Sequence, residues 1–234
     1  MIKIGCDPEV FLKDRITGAI VSAYGLFPGT KEEPFPVDKG GIQVDGNALE
    51  FNIDPAESED DFVTNIQTVM AQMRDIVESV DPNLEIVFEP VARFDPRDWA
   101  MIPFEAKVLG CDPDYNTDGT VKDAPDILMT PIRTGSGHVH IGYDGDQEDF
   151  NLKLRLADHV STKLMCIAEA WETEDSKERR KYYGNRAHRP KPYGIEERSL
   201  DNIWLTSEEY MRQVYRTTVS ATEDVLNGSA FSAT

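Results

Sequence analysis

Apolar and polar residues alternate along several short segments in the first half of the chain, and this pattern predicts β-strands. Turns rich in proline and glycine, above all residues 25–39, separate these segments. A further strand is predicted at residues 138–143 and another at 195–200. The predicted strands of the first half are residues 2–4, 10–12, 19–23, 41–44, 48–53 and 84–94.

Helical spacing of apolar residues predicts three long helices. The first begins after Pro55 with Ser58 as its cap, the second covers residues 148–171, and the third covers residues 207–226 before Asn227-Gly228. Residues 95–133 are predicted to be a long irregular excursion, and a basic loop is expected between residue 171 and the last strand. Residues 229–234 are expected to form a flexible tail.

Strands precede the long helices without regular alternation, which favours an α+β fold with a mostly antiparallel sheet. The 234 residues show no internal boundary, so one domain over residues 1–234 is expected.

A net charge of −19 argues against general affinity for nucleic acid or anionic membranes. No apolar run is long enough to cross a bilayer and the start does not resemble a signal peptide, so the cytoplasm is the expected compartment. Eight of the 24 lysines and arginines nevertheless lie within residues 177–198. This cluster is typical either of a pocket for a small polyanion or of a solvated basic face.

Two histidines stand two residues apart in Gly135-Ser136-Gly137-His138-Val139-His140. On a strand, both imidazoles would project from one face, where they could share a metal or bind a phosphate. A pair of hydrogen-bonded core histidines is the alternative. The preceding glycines are expected to let the backbone approach a ligand closely.

Carboxylates form a second set of candidates. Asp7 and Glu9 flank Pro8, which predicts a strand edge or a bulge. Asp45 precedes a predicted strand that contains Glu50 between Leu49 and Phe51. Most acidic residues of this chain are expected to be surface groups, but the apolar setting of Glu50 favours a bound cation.

The segment around Glu196 and Arg198 completes the candidate chemistry. On a strand these two side chains share a face while Glu197 points away from it. They are either a structural ion pair or a metal ligand beside a phosphate-binding guanidinium. Carboxylates with histidine suit magnesium or manganese at nucleotide phosphates, and arginines suit phosphoryl transfer.

In this order, these segments resemble the carboxylate–amine ligases of the glutamine-synthetase fold superfamily, and above all the amidoligase branch encoded by bacteriophages. The resemblance runs from residue 5 to about residue 205. It departs from that branch at Glu197, where an aromatic residue is usual, and at residues 185–188, which replace a stretch of small residues. The segments that carry the resemblance are Gly5–Glu9, Asp45–Glu50, Gly110–Tyr115, Gly135–His140, Arg179–Gly184, Arg189–Gly194 and Tyr193–Arg198.

The resemblance implies a curved antiparallel sheet forming a half-barrel, with helices on its outer side. It implies Glu9, Glu50, His138 and Glu196 as ligands of Mg²⁺ or Mn²⁺, with Asp7 as a further ligand or neighbour. It implies Arg198 as a catalytic contact to ATP phosphate. Phosphate or substrate contacts are expected from Arg179, Arg180, Arg189 and Lys191, and His140 is assigned to phosphate or substrate.

The implied reaction has two steps. ATP would phosphorylate a substrate carboxylate to an acyl phosphate, and an amine would then displace phosphate, with Asp7 or Asp45 accepting its proton. The substrates would be amino acids, peptides or protein side chains, and an oligomer is possible. Two other interpretations stay open: a virion-associated or binding protein that keeps the fold without turnover, and a cupin-like metalloenzyme using His138, His140 and Asp144.

Overall fold

The computed structural model describes residues 1–108, 114–122, 127, 129–184 and 186–229. Its architecture is mixed α+β with antiparallel sheets, as the sequence pattern predicts, and the sheets curl into a half-barrel with helices packed on them, as the resemblance implies. The strands are β1 (Ile2–Cys6), β2 (Glu9–Asp14), β3 (Ile20–Val21), β4 (Phe35–Val37), β5 (Gly40–Asp45), β6 (Ala48–Ile53), β7 (Leu84–Val87), β8 (Val91–Arg93), β9 (Asp114–Asn116), β10 (Val121–Lys122), β11 (Ile132–Thr134), β12 (Val139–Tyr143), β13 (Ala187–Lys191) and β14 (Gly194–Glu197). The helices are α1 (Glu59–Val80), α2 (Pro96–Met101), α3 (Phe150–Ala168), α4 (Glu174–Tyr183) and α5 (Glu208–Leu226), with a 3-10 helix at Asn202–Thr206.

Two larger sheets and one small strand pair make up the β-structure. The first sheet has the order β1-β12-β14-β13-β9-β10, and the second has the order β3-β2-β6-β5-β4, with β7 also on β2. The chain passes from the first sheet to the second at Asp7-Pro8, between β1 and β2. Both sides of this bend are held by the segment before β12, because Asp7 N donates to His138 O (3.4 Å) and Glu9 N donates to Ser136 O (2.8 Å).

The long helices cover one side of the sheets. Helix α1 begins at Ser58, whose hydroxyl accepts from Asp61 N (3.1 Å), and it buries Phe62 against Trp204 with stacked rings 6.0 Å apart. Helix α3 lies against β14, where Ser161 Oγ donates to Glu197 Oε1 (2.9 Å). The opposite, concave face of the sheets is therefore left for other groups.

Helix α4 and strand β13 lie where the sequence predicts a basic loop, so that prediction is wrong. Helix α4 has no apolar stripe, and the helical period is therefore missing from its sequence. It is set instead by a capping box between Thr173 and Ser176, and it ends at Gly184 with φ 70°.

The other predicted segments need smaller corrections. The predicted strand 84–94 is two strands, β7 and β8, because Pro90 interrupts the pairing between them. The predicted irregular stretch 95–133 contains α2, β9, β10 and the first residues of β11. Its residues 109–113, 123–126 and 128, and residues 230–234 of the predicted tail, lie outside the described residues.

Among the described residues, no helix combines the length and the apolar character required to cross a bilayer.

Candidate functional site

A row of charged side chains crosses the first sheet on its concave face. Glu196 on β14 pairs with His140 on β12 at one side and with Arg189 on β13 at the other. Directly paired residues of neighbouring antiparallel strands project from the same face, so the strand register brings these three side chains together. Both Glu196 and His138 are almost fully buried.

Asp7, His140 and Glu196 form a compact set of potential metal ligands, which we call the histidine–carboxylate group. One ligand atom from each residue lies within 4.8 Å of the others, and His140 Nε2 is 2.8 Å from Asp7 Oδ1. Both of these atoms are buried, and their separation is that of a hydrogen-bonded ion pair when the imidazole carries a proton on Nε2. A metal ion bound between the two atoms would replace that proton.

His138 lies beside this group rather than within it. Its Nδ1 is 3.4 Å from Asp7 Oδ1, 3.5 Å from Glu196 Oε1 and 3.2 Å from Arg198 Nη1. His140 therefore has the more direct ligand geometry, whereas the resemblance implied His138 as the metal ligand, with His140 assigned to phosphate or substrate. The strand period puts both imidazoles on one face, and the two differ in how close they lie to Asp7.

Nearby cations keep the carboxylates of this group ionised. Burial opposes the charge of Glu196, but Arg198 together with His138 and His140 outweighs it, and the pKa of Glu196 is about 2. Burial likewise opposes the charge of Asp7, and His140 and His138 together hold the pKa of Asp7 well below its usual range. For His138, burial and then Arg198 lower the pKa, which keeps the imidazole neutral and able to coordinate a metal.

A second set, which we call the three-carboxylate group, consists of Glu9, Asp45 and Glu50 on the second sheet. Glu9 pairs with Glu50 across β2 and β6, and Glu50 pairs with Gln43 across β6 and β5. Asp45 follows Gln43 by two residues and so shares its face. One oxygen from each carboxylate lies within 4.8 Å of the other two.

This second group carries more negative charge than its surroundings balance. Burial and then Asp45 raise the pKa of Glu9 to about 7, although Arg198 and the N–H of Ser136 (3.0 Å) act in the opposite direction. Burial, followed by Asp7, Asp45 and Glu9, raises the pKa of Glu50 well above its usual value. Three carboxylates held this close are stable as anions only with a cation among them.

The two groups are neighbours because one bend of the chain supplies both. Asp7 and Glu9 lie on either side of Pro8, and the charge of Asp7 acts on Glu50. The predicted edge or bulge at Pro8 is thus the crossing between the two sheets. All of the predicted metal ligands and both predicted proton acceptors belong to these two groups or, in the case of His138, lie directly beside them.

Three of the predicted cationic contacts lie at the edge of the histidine–carboxylate group. Lys191 Nζ is 2.7 Å from Glu196 Oε2, Arg189 Nη1 is 3.8 Å from it, and Arg198 Nη1 contacts Glu196 Oε1. Asp114 links two of them, since its Oδ1 accepts from Arg189 Nη2 (2.9 Å) and pairs with Arg198 Nε (3.0 Å). The sequence missed Asp114 because it lies in the stretch that was predicted to be irregular.

Arg179 and Arg180 do not join these cations. Arg179 is buried and donates to Ser199 O (2.7 Å) and Ser136 Oγ (3.1 Å), with its guanidinium 4.9 Å from the ring centre of Tyr183. Arg180 pairs with Glu172. Both were expected to contact phosphate or substrate. Helix α4, which was not predicted, instead directs Arg179 to acceptors inside the protein and Arg180 to Glu172.

The glycines before His138 have a different role from the one expected. A side chain at Gly137 would collide with the carbonyl of Asp201 and the indole of Trp204. A side chain at Gly135 would collide with Asn202 and the carbonyl of Glu89. These glycines therefore allow close packing within the protein, around the 3-10 helix, rather than close approach of a ligand.

Comparison of the sequence with models of known protein families and with curated proteins finds no match.

Three further side chains complete the description of the site and its surroundings. Glu197 points away from the site, as predicted, and accepts from Ser161 Oγ and Ser199 N, both at 2.9 Å. Asp144 pairs with the amino group of Met1 at 2.7 Å, so the carboxylate of the cupin-like interpretation does not accompany the histidines. Tyr193, which the sequence did not single out, has its hydroxyl at Nδ1 of His140.

The assembled site can bind cations and anions side by side. Two groups of potential cation ligands lie next to each other on the concave face, and Arg189, Lys191 and Arg198 stand at one edge. This combination suits a ligand that carries several negative charges together with divalent cations.

Proposed function

We propose that this protein is an ATP-dependent carboxylate–amine ligase of the glutamine-synthetase fold superfamily, of the amidoligase kind encoded by bacteriophages. The observation that carries the proposal is the pair of cation-binding groups that meet at Asp7-Pro8-Glu9, with arginines and a lysine at their edge. A nucleoside triphosphate with Mg²⁺ or Mn²⁺ has this distribution of charge.

The donor sets fit divalent cations. Glu9, Asp45 and Glu50 offer only oxygen ligands, which Mg²⁺ and Mn²⁺ prefer. Asp7, His140 and Glu196 would hold a second ion, with His138 beside them. When bound, such ions neutralise phosphate charge and polarise the phosphoryl group.

The cationic side chains would orient the nucleotide and the acceptor. Arg198 and Arg189 are fixed by Asp114, and a fixed guanidinium offers donors to phosphate oxygens without having to reorganise. The substrate carboxylate oxygen would attack the γ-phosphorus, ADP would leave, and the acyl phosphate would keep the transferred phosphoryl group. An amine would then form the C–N bond and expel phosphate.

The amine must lose a proton during the second step. Asp45, at the end of β5, is the proton acceptor that we propose, which leaves Glu9 and Glu50 as the ligands of the first ion. Asp7 is the weaker candidate, because the histidines lower its pKa and so reduce its basicity. The substrates would be amino acids, peptides or protein side chains in the cytoplasm, where ATP is available.

Substitution of two neighbouring glutamates tests the proposal. We expect Glu196→Gln to abolish Mg²⁺-dependent ATP binding, measured by calorimetry, and ADP release across a screen of amino-acid and peptide pairs. Glu197→Gln is the matched control: it faces Ser161 on the helix side, so binding and turnover should stay within about twofold of wild type.

Other outcomes would contradict the proposal. Tightly bound iron or zinc, with no effect of nucleotide, would instead favour a metalloenzyme that uses the two histidines. Mg²⁺-dependent ATP binding without ADP release for any pair would favour a non-catalytic binding protein that retains the fold. Equal activity of the Glu196 and Glu197 variants would mean that the metal ligands are assigned wrongly.

A further inference from the structure

Lys122 stands at the outer end of the charged row and was not among the residues predicted for the site. It pairs with Asp114 across β10 and β9, and β9 pairs in turn with β13, which carries Arg189. The row on the concave face therefore continues beyond Arg189, through Asp114 to Lys122. From Glu196 onward, acidic and basic residues alternate along the row, in the order Glu196, Arg189, Asp114 and Lys122.

The surroundings of Lys122 compensate only part of the cost of burying its charge. The side chain is half-buried, with Nζ 5.6 Å from the ring centre of Tyr183. Burial lowers the pKa of Lys122 to about 8, Asp114 opposes this effect, and Arg179 and Arg198 add to it. The groups facing Lys122 are thus one carboxylate from β9, one guanidinium directly after β14, and a second guanidinium and a phenol ring from α4.

Asp114, the carboxylate that acts on Lys122, already serves two other cations. Asp114 Oδ1 lies at hydrogen-bonding distance from both Arg189 and Arg198. In the described part of the chain, no carboxylate forms an ion pair with Lys122, whereas Lys191 of the same face pairs with Glu196 at 2.7 Å. A half-buried cation beside two other cations gains most from an anion that arrives from solution.

We propose that Lys122 binds a phosphate oxygen of the nucleotide. It would be the outermost of the cations on this face, beyond Arg189, Lys191 and Arg198. This inference rests on the proposed function, since it assigns a further contact to the same nucleotide. The two groups of potential metal ligands lie at the opposite end of the row, where the γ-phosphoryl group would be transferred. Lys122 would therefore contact a phosphate that stays with ADP. Lys122 would then contribute to affinity for ADP as well as for ATP.

Calorimetric titration with ADP and Mg²⁺ tests this contact. We expect Lys122→Met, which keeps the length of the side chain but not its charge, to weaken ADP binding by about tenfold or more. Lys122→Arg should restore part of the affinity. The matched control is Lys163→Met on the exposed side of α3, which should bind like wild type, and thermal melts verify that all variants fold.

The pH dependence gives a second measurement on the same proteins. The ammonium is charged below its pKa and neutral above it, so the ratio of wild-type affinity to Lys122→Met affinity should fall as pH rises through about 8. Equal ADP affinity of wild type and Lys122→Met at pH 7 would overturn the inference and leave the proposed function intact. Absence of nucleotide binding by the wild type would overturn both.

Discussion

The pKa values of two adjacent glutamates in the candidate site, Glu196 and Glu197, are shifted in opposite directions. Glu196 is surrounded by Arg198, Lys191 and the histidines, and its pKa is about 2. Burial raises the pKa of the next residue, Glu197, although hydrogen bonds from Ser199 and Ser161 moderate the rise. Alternation along β14 thus separates a charged ligand on the concave face from a hydrogen-bonded anchor on the helix side.

Tyr193 is expected to orient His140 for metal binding. Its hydroxyl is at Nδ1 of His140, and an Nδ1–H donated to that oxygen would leave the lone pair of Nε2 for a metal ion. That ion would replace the proton on Nε2, which Asp7 favours by raising the pKa of His140 against the effect of burial. We therefore expect Tyr193→Phe to weaken Mn²⁺ binding by about 10–100-fold, measured by calorimetry, without loss of the fold.

The control for this change is Tyr24→Phe, which removes a hydroxyl that bonds only to the exposed Glu105 among the described residues. It should leave Mn²⁺ affinity unchanged. If Tyr193→Phe bound Mn²⁺ as tightly as wild type, the hydroxyl would have no orienting role.

At the scale of elements, prediction succeeded where a pattern is local and strong. Helices α1, α3 and α5 were predicted because each buries an apolar stripe, such as Phe62, Ile66 and Val69 in α1. Helix α4 was missed because nearly all of its side chains are polar, although its capping box was present in the sequence. Strand β13 was missed for a related reason: it carries Arg189 and Lys191 to the charged face, so its sequence lacks apolar alternation.

The candidate site was predictable only in part because its parts come from distant strands. The spacing within His138–His140 and within Glu196–Arg198 indicates shared faces. The partners Asp114, Gln43 and Lys122 follow instead from strand register, which pairs residues far apart in sequence. Likewise, no local pattern distinguishes Arg189, whose side chain reaches Glu196, from Arg179, whose donors are used by the backbone.

The segment before β12 is fixed by close packing against the 3-10 helix. Gly137 N donates to Leu200 O (2.9 Å), and Trp204 Nε1 donates to Gly137 O (3.2 Å). A methyl group at this position would collide with Asp201 and Trp204, so we expect Gly137→Ala to lower the free energy of unfolding by about 1–3 kcal/mol. Urea denaturation measures the change.

Gly142→Ala, on the following strand, is the control for this substitution. The nearest atom to an added Cβ there is 3.7 Å away, an ordinary contact. It should change the stability by about 0.5 kcal/mol or less. Equal stability of the two variants would show that the segment before β12 can shift to accommodate the added methyl group and that Gly137 is not needed for packing.

At the scale of the whole molecule, the half-barrel gathers acidic residues from two sheets onto one concave face. The histidine–carboxylate group is balanced by cations of the protein itself, whereas the three-carboxylate group is not. In the absence of a bound cation, the fold therefore holds carboxyl groups whose ionisation opposes folding. A stability cost of this kind at a binding site is expected where function requires it.

Glu50→Gln should separate this stability cost from the binding function. It removes the ionisable group whose pKa burial and the two neighbouring carboxylates raise, so at neutral pH the metal-free variant should be more stable than wild type by on the order of 1–4 kcal/mol. Wild type should gain stability with added Mg²⁺, by about 2.7 kcal/mol at a hundredfold excess over Kd, and the variant should gain little. Thermal melts with EDTA and with Mg²⁺ measure both effects, and the exposed Glu32→Gln serves as a control that should behave like wild type. A variant that is less stable than wild type in EDTA would mean that Glu50 is already compensated within the protein, and the three-carboxylate group would then lose its role as a cation site.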